Sequence, residues 1–146
     1  MNYFENRDGD LHAEDVSLSE IANTHGTPTF VYSKAAIVDA YTQFSAAFSR
    51  HEHRICYAVK ANSNLAVLGL LASLQASFDI VSGGELQRVL RAGGQADRIV
   101  FSGVGKQAWE LREALSAGIA CFNVESEFEL EQLQNILDLA GTAGYK

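Results

Sequence analysis

Four short apolar segments recur along this chain at nearly equal spacing, and each is followed by a longer segment with helical periodicity. The apolar segments are predicted strands that start at residues 55, 78, 99 and 119, which are 23, 21 and 20 residues apart. Apolar residues in the longer segments recur at helical spacing. Strands that alternate with helices at this period predict βα units and a parallel sheet.

The closure of that sheet has two solutions, an open doubly wound sheet or a (β/α)8 barrel. Eight units at this spacing need roughly 180 residues, the lower edge of the barrel class. The sequence stops where a fifth strand would start, so we predict an α/β chain that contains the first half of a barrel. The predicted elements are a helix of about four turns from Ser33, strand 55–60, helix 65–75, strand 78–81, helix 84–92, strand 99–101, helix 107–117, strand 119–124 and helix 127–140.

Residues 1–32 do not follow this alternation and are predicted to form a separate N-terminal segment. Ser17 and Glu20 match the S-x-x-E pattern of a capping box, which predicts a short helix that ends near Gly26. Pro28 precedes a β-rich run at 29–32, which predicts a strand.

Charge and composition argue against several classes of protein. The net charge of −7, from 18 acidic and 11 basic residues, argues against non-specific binding to nucleic acid or to an anionic membrane. No signal-peptide pattern follows Met1, and no apolar run approaches the roughly 20 residues of a membrane span. Cys56 and Cys121 lie in apolar segments, which favours buried, reduced thiols in a cytosolic protein over a disulfide framework.

A lysine ends the first predicted strand, in the segment CYAVKAN at 56–62. Strand alternation places Tyr57 and Val59 on one face and the small Ala58 on the other, with Lys60. A desolvated lysine amine is a nucleophile able to form a Schiff base with an aldehyde. The pattern is compatible with a nucleophile at the carboxyl edge of a barrel sheet, and equally with a lysine that extends into solvent.

A carboxylate is expected on the same face of the second strand. Phe78 and Ile80 point to one side of this strand and Asp79 to the other. If the two strands are neighbours, Asp79 shares the barrel interior with Lys60 and steadies a protonated amine or a cofactor nitrogen. A purely structural ion pair fits the pattern equally well.

Glycine-containing loops follow the second and third strands. In SGGE, at 82–85, the tandem glycines allow a close backbone approach, but a capping box alone explains Glu85. The segment SGVGK at 102–106 resembles part of a phosphate-binding loop, yet Val at position 100 and Gln at position 107 break that motif. Lys106 is therefore expected in solvent or on the substrate side.

The fourth strand is predicted to end at the last helix of the sequence. Ser126 and Glu129 repeat the S-x-x-E capping pattern. Asn123 or Glu125 could face a pocket at the strand end, although strand termination and helix capping explain both residues as well.

Five segments of the chain resemble the diaminopimelate decarboxylase family. This family is part of the alanine-racemase-like class of pyridoxal-phosphate enzymes, which also includes ornithine and arginine decarboxylases. The resemblance extends over nearly the whole chain. The segments are GTPTFVY at 26–32, YAVKAN at 57–62, FDIVSGGEL at 78–86, FSGVGK at 101–106 and FNVES at 122–126.

The resemblance implies a site and a reaction. Lys60 would hold pyridoxal phosphate, Ala58 would line the cofactor, and Asp79 would lie close to both, with no metal. The reaction would be decarboxylation of meso-2,6-diaminopimelate to L-lysine and CO2, the last step of lysine biosynthesis. The enzyme would be a cytoplasmic homodimer with a small amino-acid substrate and neither a nucleic-acid nor a membrane partner.

The resemblance also implies a domain organisation. Residues 1–32 would belong to a second, mostly β domain, and residues 33–146 would be the first four βα units of the barrel. Family members are much longer, so the groups for the phosphate, the pyridine nitrogen and the substrate would lie beyond residue 146. The isolated chain is therefore expected to be inactive.

Other functions stay open at the level of sequence. An ornithine- or arginine-type decarboxylase shares the lysine motif. A non-catalytic barrel that binds pyridoxal phosphate, or an interaction fragment that pairs with full-length subunits, is also compatible with these residues.

Overall fold

The computed structural model describes residues 2–139. These residues form two compact units that separate between His53 and Arg54. The first unit contains an antiparallel sheet and two helices, and the second contains a parallel sheet and four helices.

The first unit begins with three short antiparallel strands paired in chain order. The Ser17 hydroxyl accepts a hydrogen bond from the Glu20 N–H at 3.1 Å, which confirms the helix start predicted from the S-x-x-E pattern. The elements are β1 (Phe4–Arg7), β2 (Asp10–Ala13), β3 (Val16–Ser17), α1 (Leu18–His25) and α2 (Lys34–Ala47).

The strand expected at 29–32 does not form. A β-rich sequence becomes a strand only where a neighbouring strand completes its hydrogen bonds. None of the described residues pairs with this segment. The rings of Phe30 and Tyr32 stack at a centroid distance of 6.5 Å and are both exposed.

A carboxylate that follows β2 caps helix α2. Glu14 Oε1 accepts hydrogen bonds from the Ser33 hydroxyl at 2.7 Å and from the Ala35 N–H at 2.8 Å. Ser33 Oγ in turn accepts from the Ala36 N–H at 3.0 Å. The bond from Ala35, followed by the bond from Ser33, lowers the pKa of Glu14 below its ordinary value of 4.5. Folding therefore favours the charged form of this carboxyl.

Replacing Glu14 with glutamine is expected to weaken the pH dependence of the stability of the first unit. Because the folded pKa is lowered, the carboxylate stabilises the unit above pH 4.5, and this stabilisation is lost as the pH falls through the folded pKa. Part of the pH dependence remains in the Glu14→Gln variant because of Asp10, whose pKa is also lowered, by hydrogen bonds from the hydroxyls of Ser17 and Ser19. Urea unfolding at neutral pH and well below pH 4.5 tests this. If wild type and variant lose the same amount of stability between the two pH values, the prediction is wrong.

The second unit alternates strands and helices as the sequence predicts. Its strands are all parallel, in the order β4-β5-β6-β7. Strands β4 and β7 are shorter than predicted, and the predicted end of the last helix, at 140, lies outside the described residues. The elements are β4 (Cys56–Ala58), α3 (Leu65–Ser73), β5 (Ser77–Ile80), α4 (Gly83–Arg91), β6 (Ile99–Phe101), α5 (Ala108–Ala117), β7 (Cys121–Phe122) and α6 (Glu127–Leu139).

The core of this unit lies on one face of the parallel sheet. Each fully buried aliphatic or aromatic side chain stabilises the fold by about 1.5–3 kcal/mol. Strand residues of this core alternate with half-buried residues that point to the opposite face. The largest fully buried apolar side chains come from β5, β6 and the helices: Phe78, Phe101, Leu68, Ile80, Leu86, Ile99 and Leu111.

Two glycines of this unit differ in the space around them. A Cβ at Gly94 would lie 2.5 Å from Val89 Cγ1 and 3.1 Å from Phe78 Cε2, both on fully buried residues. A Cβ at Gly84, in α4, would meet only Ser82 Oγ, at 3.9 Å. The chain thus needs glycine at position 94 for packing and tolerates a methyl group at position 84.

Replacing Gly94 with alanine is expected to destabilise the second unit by about 1–3 kcal/mol, since the methyl group overpacks the core. Gly84→Ala is the matched control and is expected to stabilise the helix by about 0.5–1 kcal/mol. The urea midpoints of the two variants measure the difference. Equal midpoints would show that position 94 is not crowded.

Candidate active site

The face of the parallel sheet opposite the core carries the candidate site. Ala58 of β4, Asp79 of β5 and Val100 of β6 are neighbours in register. All three are half-buried, whereas Phe78 and Ile80 on the other face have no exposed surface. The alternation predicted around Asp79 is therefore confirmed. Residues that follow the strands meet at the carboxyl edge of this face.

Lys60 lies two residues beyond β4, in a single 3₁₀ turn, Val59–Ala61. The turn packs against β5, and Val59 is fully buried while Lys60 is exposed. In the part of the chain that the structure describes, no hydrogen bond or ion pair involves the Lys60 amine. Of the two arrangements left open for Lys60, the structure has the lysine that extends into solvent, because the turn takes residue 60 out of the strand alternation.

Asp79 and Ala58 lie side by side on neighbouring strands. Asp79 Oδ1 accepts a hydrogen bond from the Ser102 hydroxyl. Among residues 2–139, no ion pair joins Asp79 to Lys60, although the turn that carries Lys60 packs against the strand of Asp79. The cofactor-binding roles of Lys60, Ala58 and Asp79 remain predictions.

Ser102 and Asn123 extend the polar surface from Asp79 across the sheet. Asn123 Nδ2 donates to Ser102 Oγ at 3.0 Å, and Cys121 Sγ contacts Asn123 Oδ1 at 3.8 Å. Asn123 is one of the two residues predicted to face a pocket at this strand end, whereas Ser102 was not predicted as a site residue. The sequence does contain a signal for both residues. Each directly follows a strand, and strand alternation places each on the same face of the sheet as Asp79.

Lys106 is the buried lysine of the second unit. Its side chain is 1% exposed, and its ammonium donates to Gly103 O and Asn123 O at 2.7 Å each and to Glu129 Oε1 at 2.5 Å. All three ammonium protons therefore have acceptors. The expectation that Lys106 lies in solvent or faces the substrate is wrong, because acceptors 17 and 23 residues further along the chain enclose it.

Glutamates at the third position of α4, α5 and α6 hold the loops at this edge. The N–H of Glu85 donates to Ser82 Oγ at 3.2 Å, and the N–H of Glu129 to Ser126 Oγ at 3.2 Å, which confirms both predicted helix caps. The carboxylates bind loop backbone in addition. They accept from Val81 N (Glu85, 2.8 Å), from Gly83 N and Gln107 N (Glu110, 2.7 and 2.8 Å) and from Glu125 N (Glu129, 3.5 Å).

The close approach predicted at the tandem glycines is made by the chain itself. A Cβ on Gly83 would lie 2.6 Å from the Trp109 ring and 3.3 Å from Glu110 Cγ. Gly83 is buried under these side chains of α5, so its backbone is not available to a ligand.

Both cysteines are free and exposed, so the expectation of buried thiols is wrong. Cys56 of β4 and Cys121 of β7 project from the face of the sheet opposite the core. Each lies two residues before a residue of that face, Ala58 and Asn123 respectively. Partial burial raises the pKa of the Cys56 thiol, and the negative charge of Asp79 raises it further. A raised pKa keeps a thiol protonated and unreactive.

Comparison with known proteins identifies the family. The model described as pyridoxal-dependent decarboxylase, pyridoxal binding domain, matches residues 34–141. The chain belongs to this family of pyridoxal-dependent decarboxylases. Among the curated members, the diaminopimelate decarboxylase of Pseudomonas fluorescens is 58% identical over 130 residues, which are 89% of this chain and 31% of that protein.

Solved structures of decarboxylases in this family have the same fold. The crystal structure of diaminopimelate decarboxylase from M. jannaschii with L-lysine has a TM-score of 0.92 at 34% identity and covers 96% of this chain and 34% of that one. The crystal structure of the Helicobacter pylori diaminopimelate decarboxylase with L-lysine has a TM-score of 0.82 at 46% identity. It covers 85% of this chain and 32% of that one. The predicted fold class, the first half of an alanine-racemase-like (β/α)8 barrel after an N-terminal β segment, is confirmed.

The chain spans about a third of the length of the curated decarboxylases that it matches. No helix among the described residues is long and apolar enough to cross a membrane.

Proposed function

We propose that this chain is the cofactor-binding part of a diaminopimelate decarboxylase, which converts meso-2,6-diaminopimelate to L-lysine and CO2. The observation that carries the proposal is the 58% identity to a diaminopimelate decarboxylase over 89% of the chain. The position of Lys60, with its amine unengaged at the carboxyl edge of the barrel sheet, supports it.

The residues at this edge fit pyridoxal phosphate. Lys60 offers an exposed primary amine that can bond to the aldehyde carbon of the cofactor. Ala58, with its small side chain, leaves room for the cofactor ring on the face opposite the core. Asp79 brings a carboxylate to the strand next to Ala58. The bound cofactor supplies the electron sink for loss of CO2.

The rest of the assembly follows from the same proposal. Residues 1–32 contribute to a second, mostly β domain, and residues 33–146 form the first four βα units of the barrel. The antiparallel sheet β1–β3 supports the first assignment, and the four parallel strands support the second. The enzyme works as a homodimer in the cytoplasm.

An activity assay tests the proposal. The protein that contains this chain, at its full natural length, is incubated with pyridoxal phosphate and meso-diaminopimelate, and released CO2 and L-lysine are measured. Equimolar CO2 and lysine are expected, with no turnover of ornithine or arginine. Turnover of ornithine or arginine without turnover of diaminopimelate would overturn the substrate assignment.

A further inference from the structure

A continuous chain of polar contacts crosses the candidate site from helix α6 to Asp79. It begins at the buried ion pair and passes through one residue after each of β7 and β6. The links are Glu129 Oε1 to Lys106 Nζ (2.5 Å), Lys106 Nζ to Asn123 O (2.7 Å), Asn123 Nδ2 to Ser102 Oγ (3.0 Å) and Ser102 Oγ to Asp79 Oδ1.

The directions of these bonds are fixed by chemistry. The Lys106 ammonium is donor only and holds the Asn123 carbonyl in place. Asn123 Nδ2 donates to Ser102 Oγ, and Asn123 Oδ1 faces the Cys121 thiol. Because Ser102 Oγ accepts from that amide, its single proton goes to Asp79.

The chain of contacts leaves one oxygen of Asp79 unused. Oδ1 accepts from Ser102, and in the part of the chain that the structure describes Oδ2 has no hydrogen bond. Asp79 lies next to Ala58, and the turn that carries Lys60 packs against the strand of Asp79. A hydrogen bond to one oxygen fixes the rotation of a carboxylate and thereby the direction of the other.

We propose that Ser102 is a positioning residue, which orients the Asp79 carboxylate so that Oδ2 faces the cofactor held by Lys60. This proposal rests on the proposed function, because it requires a cofactor at Lys60. Ser102 itself acts only through Asp79, and Lys106 and Asn123 hold Ser102 in place.

The test is a double-mutant cycle between Ser102 and Asp79 in the protein at its full natural length. Ser102→Ala removes the hydroxyl, and pyridoxal-phosphate affinity, read from the visible absorbance of the bound cofactor, is expected to fall about tenfold. Ser102→Thr keeps the hydroxyl and is expected to restore the affinity. In an Asp79→Asn background, Ser102→Ala is expected to have a much smaller effect, since the charged acceptor is already gone.

Ser73→Ala is the matched control, because Ser73 is exposed and donates only to Leu70 O of its own helix. An equal loss of affinity from Ser102→Ala with and without Asp79→Asn would overturn the proposal and show a merely structural role. Unchanged affinity and absorbance in Ser102→Ala would also overturn it, while the proposed function stands. A wild-type protein that binds no cofactor would overturn the proposed function and this inference with it.

Discussion

Replacing Lys106 with methionine is expected to lower the free energy of unfolding of the second unit by about 3–5 kcal/mol. The substitution leaves the Glu129 carboxylate, whose side chain is 7% exposed, without its ion-pair partner. It also removes the donor to the carbonyl oxygens of Gly103 and Asn123. Urea unfolding followed by circular dichroism measures the loss.

Two further variants separate the ion pair from other effects of the substitution. Lys60→Met is the matched control, because Lys60 is exposed and unpaired among the described residues, and a change within about 0.5 kcal/mol is expected. Adding Glu129→Leu to Lys106→Met removes the stranded charge and is expected to recover much of the lost stability. If Lys106→Met unfolds at the same urea concentration as Lys60→Met, the ion pair does not stabilise the fold.

In the protein at its full natural length, replacing Lys60 with alanine is expected to abolish attachment of pyridoxal phosphate and to lower the decarboxylation rate on the order of 10³-fold or more. Among the described residues of the second unit, the other lysine is Lys106, whose ammonium is saturated by three acceptors. Among residues 54–139, no other lysine can therefore replace the lost amine. The visible absorbance of the bound cofactor and the release of CO2 measure both effects.

Lys60→Arg sharpens this experiment, since it keeps the positive charge but lacks a primary amine. Cofactor attachment and decarboxylation rate are expected to fall as far in Lys60→Arg as in Lys60→Ala. The urea midpoint is expected to stay at the wild-type value in both variants, because the side chain is exposed. If the cofactor stays covalently attached in Lys60→Ala, the attachment site is a residue other than Lys60.

The elements of the second unit were predictable because their signals are local. Helical apolar periodicity, serine caps and glycine ends lie within each segment. The helix predicted at 84–92 is observed at Gly83–Arg91, and strand 99–101 is observed as Ile99–Phe101. Gly118, predicted to stop α5, caps it with a φ of 73°.

The two lysines show why burial could not be predicted in the same way. Lys60 follows an apolar run that fits a buried and a solvated lysine equally well, and a 3₁₀ turn exposes it. Lys106 stands in a glycine-containing loop and looked solvated, yet acceptors from the next βα unit enclose it. Whether a lysine is buried depends on distant partners, and no local pattern within a single sequence reports them. The same limit applies to Ser102, whose role depends on Asp79 one strand away.

The glutamates at the third position of α4, α5 and α6 have a consequence for how this edge can change its chemistry. Each carboxylate accepts hydrogen bonds from main-chain N–H groups, and Glu129 in addition binds the side chain of Lys106 in the loop after β6. A loop held through its backbone tolerates changes at its exposed side chains, such as Val104, which is 83% exposed. The exposed side chains of the βα loops can therefore change to suit a new ligand while the three glutamates and Lys106 are kept. The course of these loops is thus set by other residues than those that would contact a ligand.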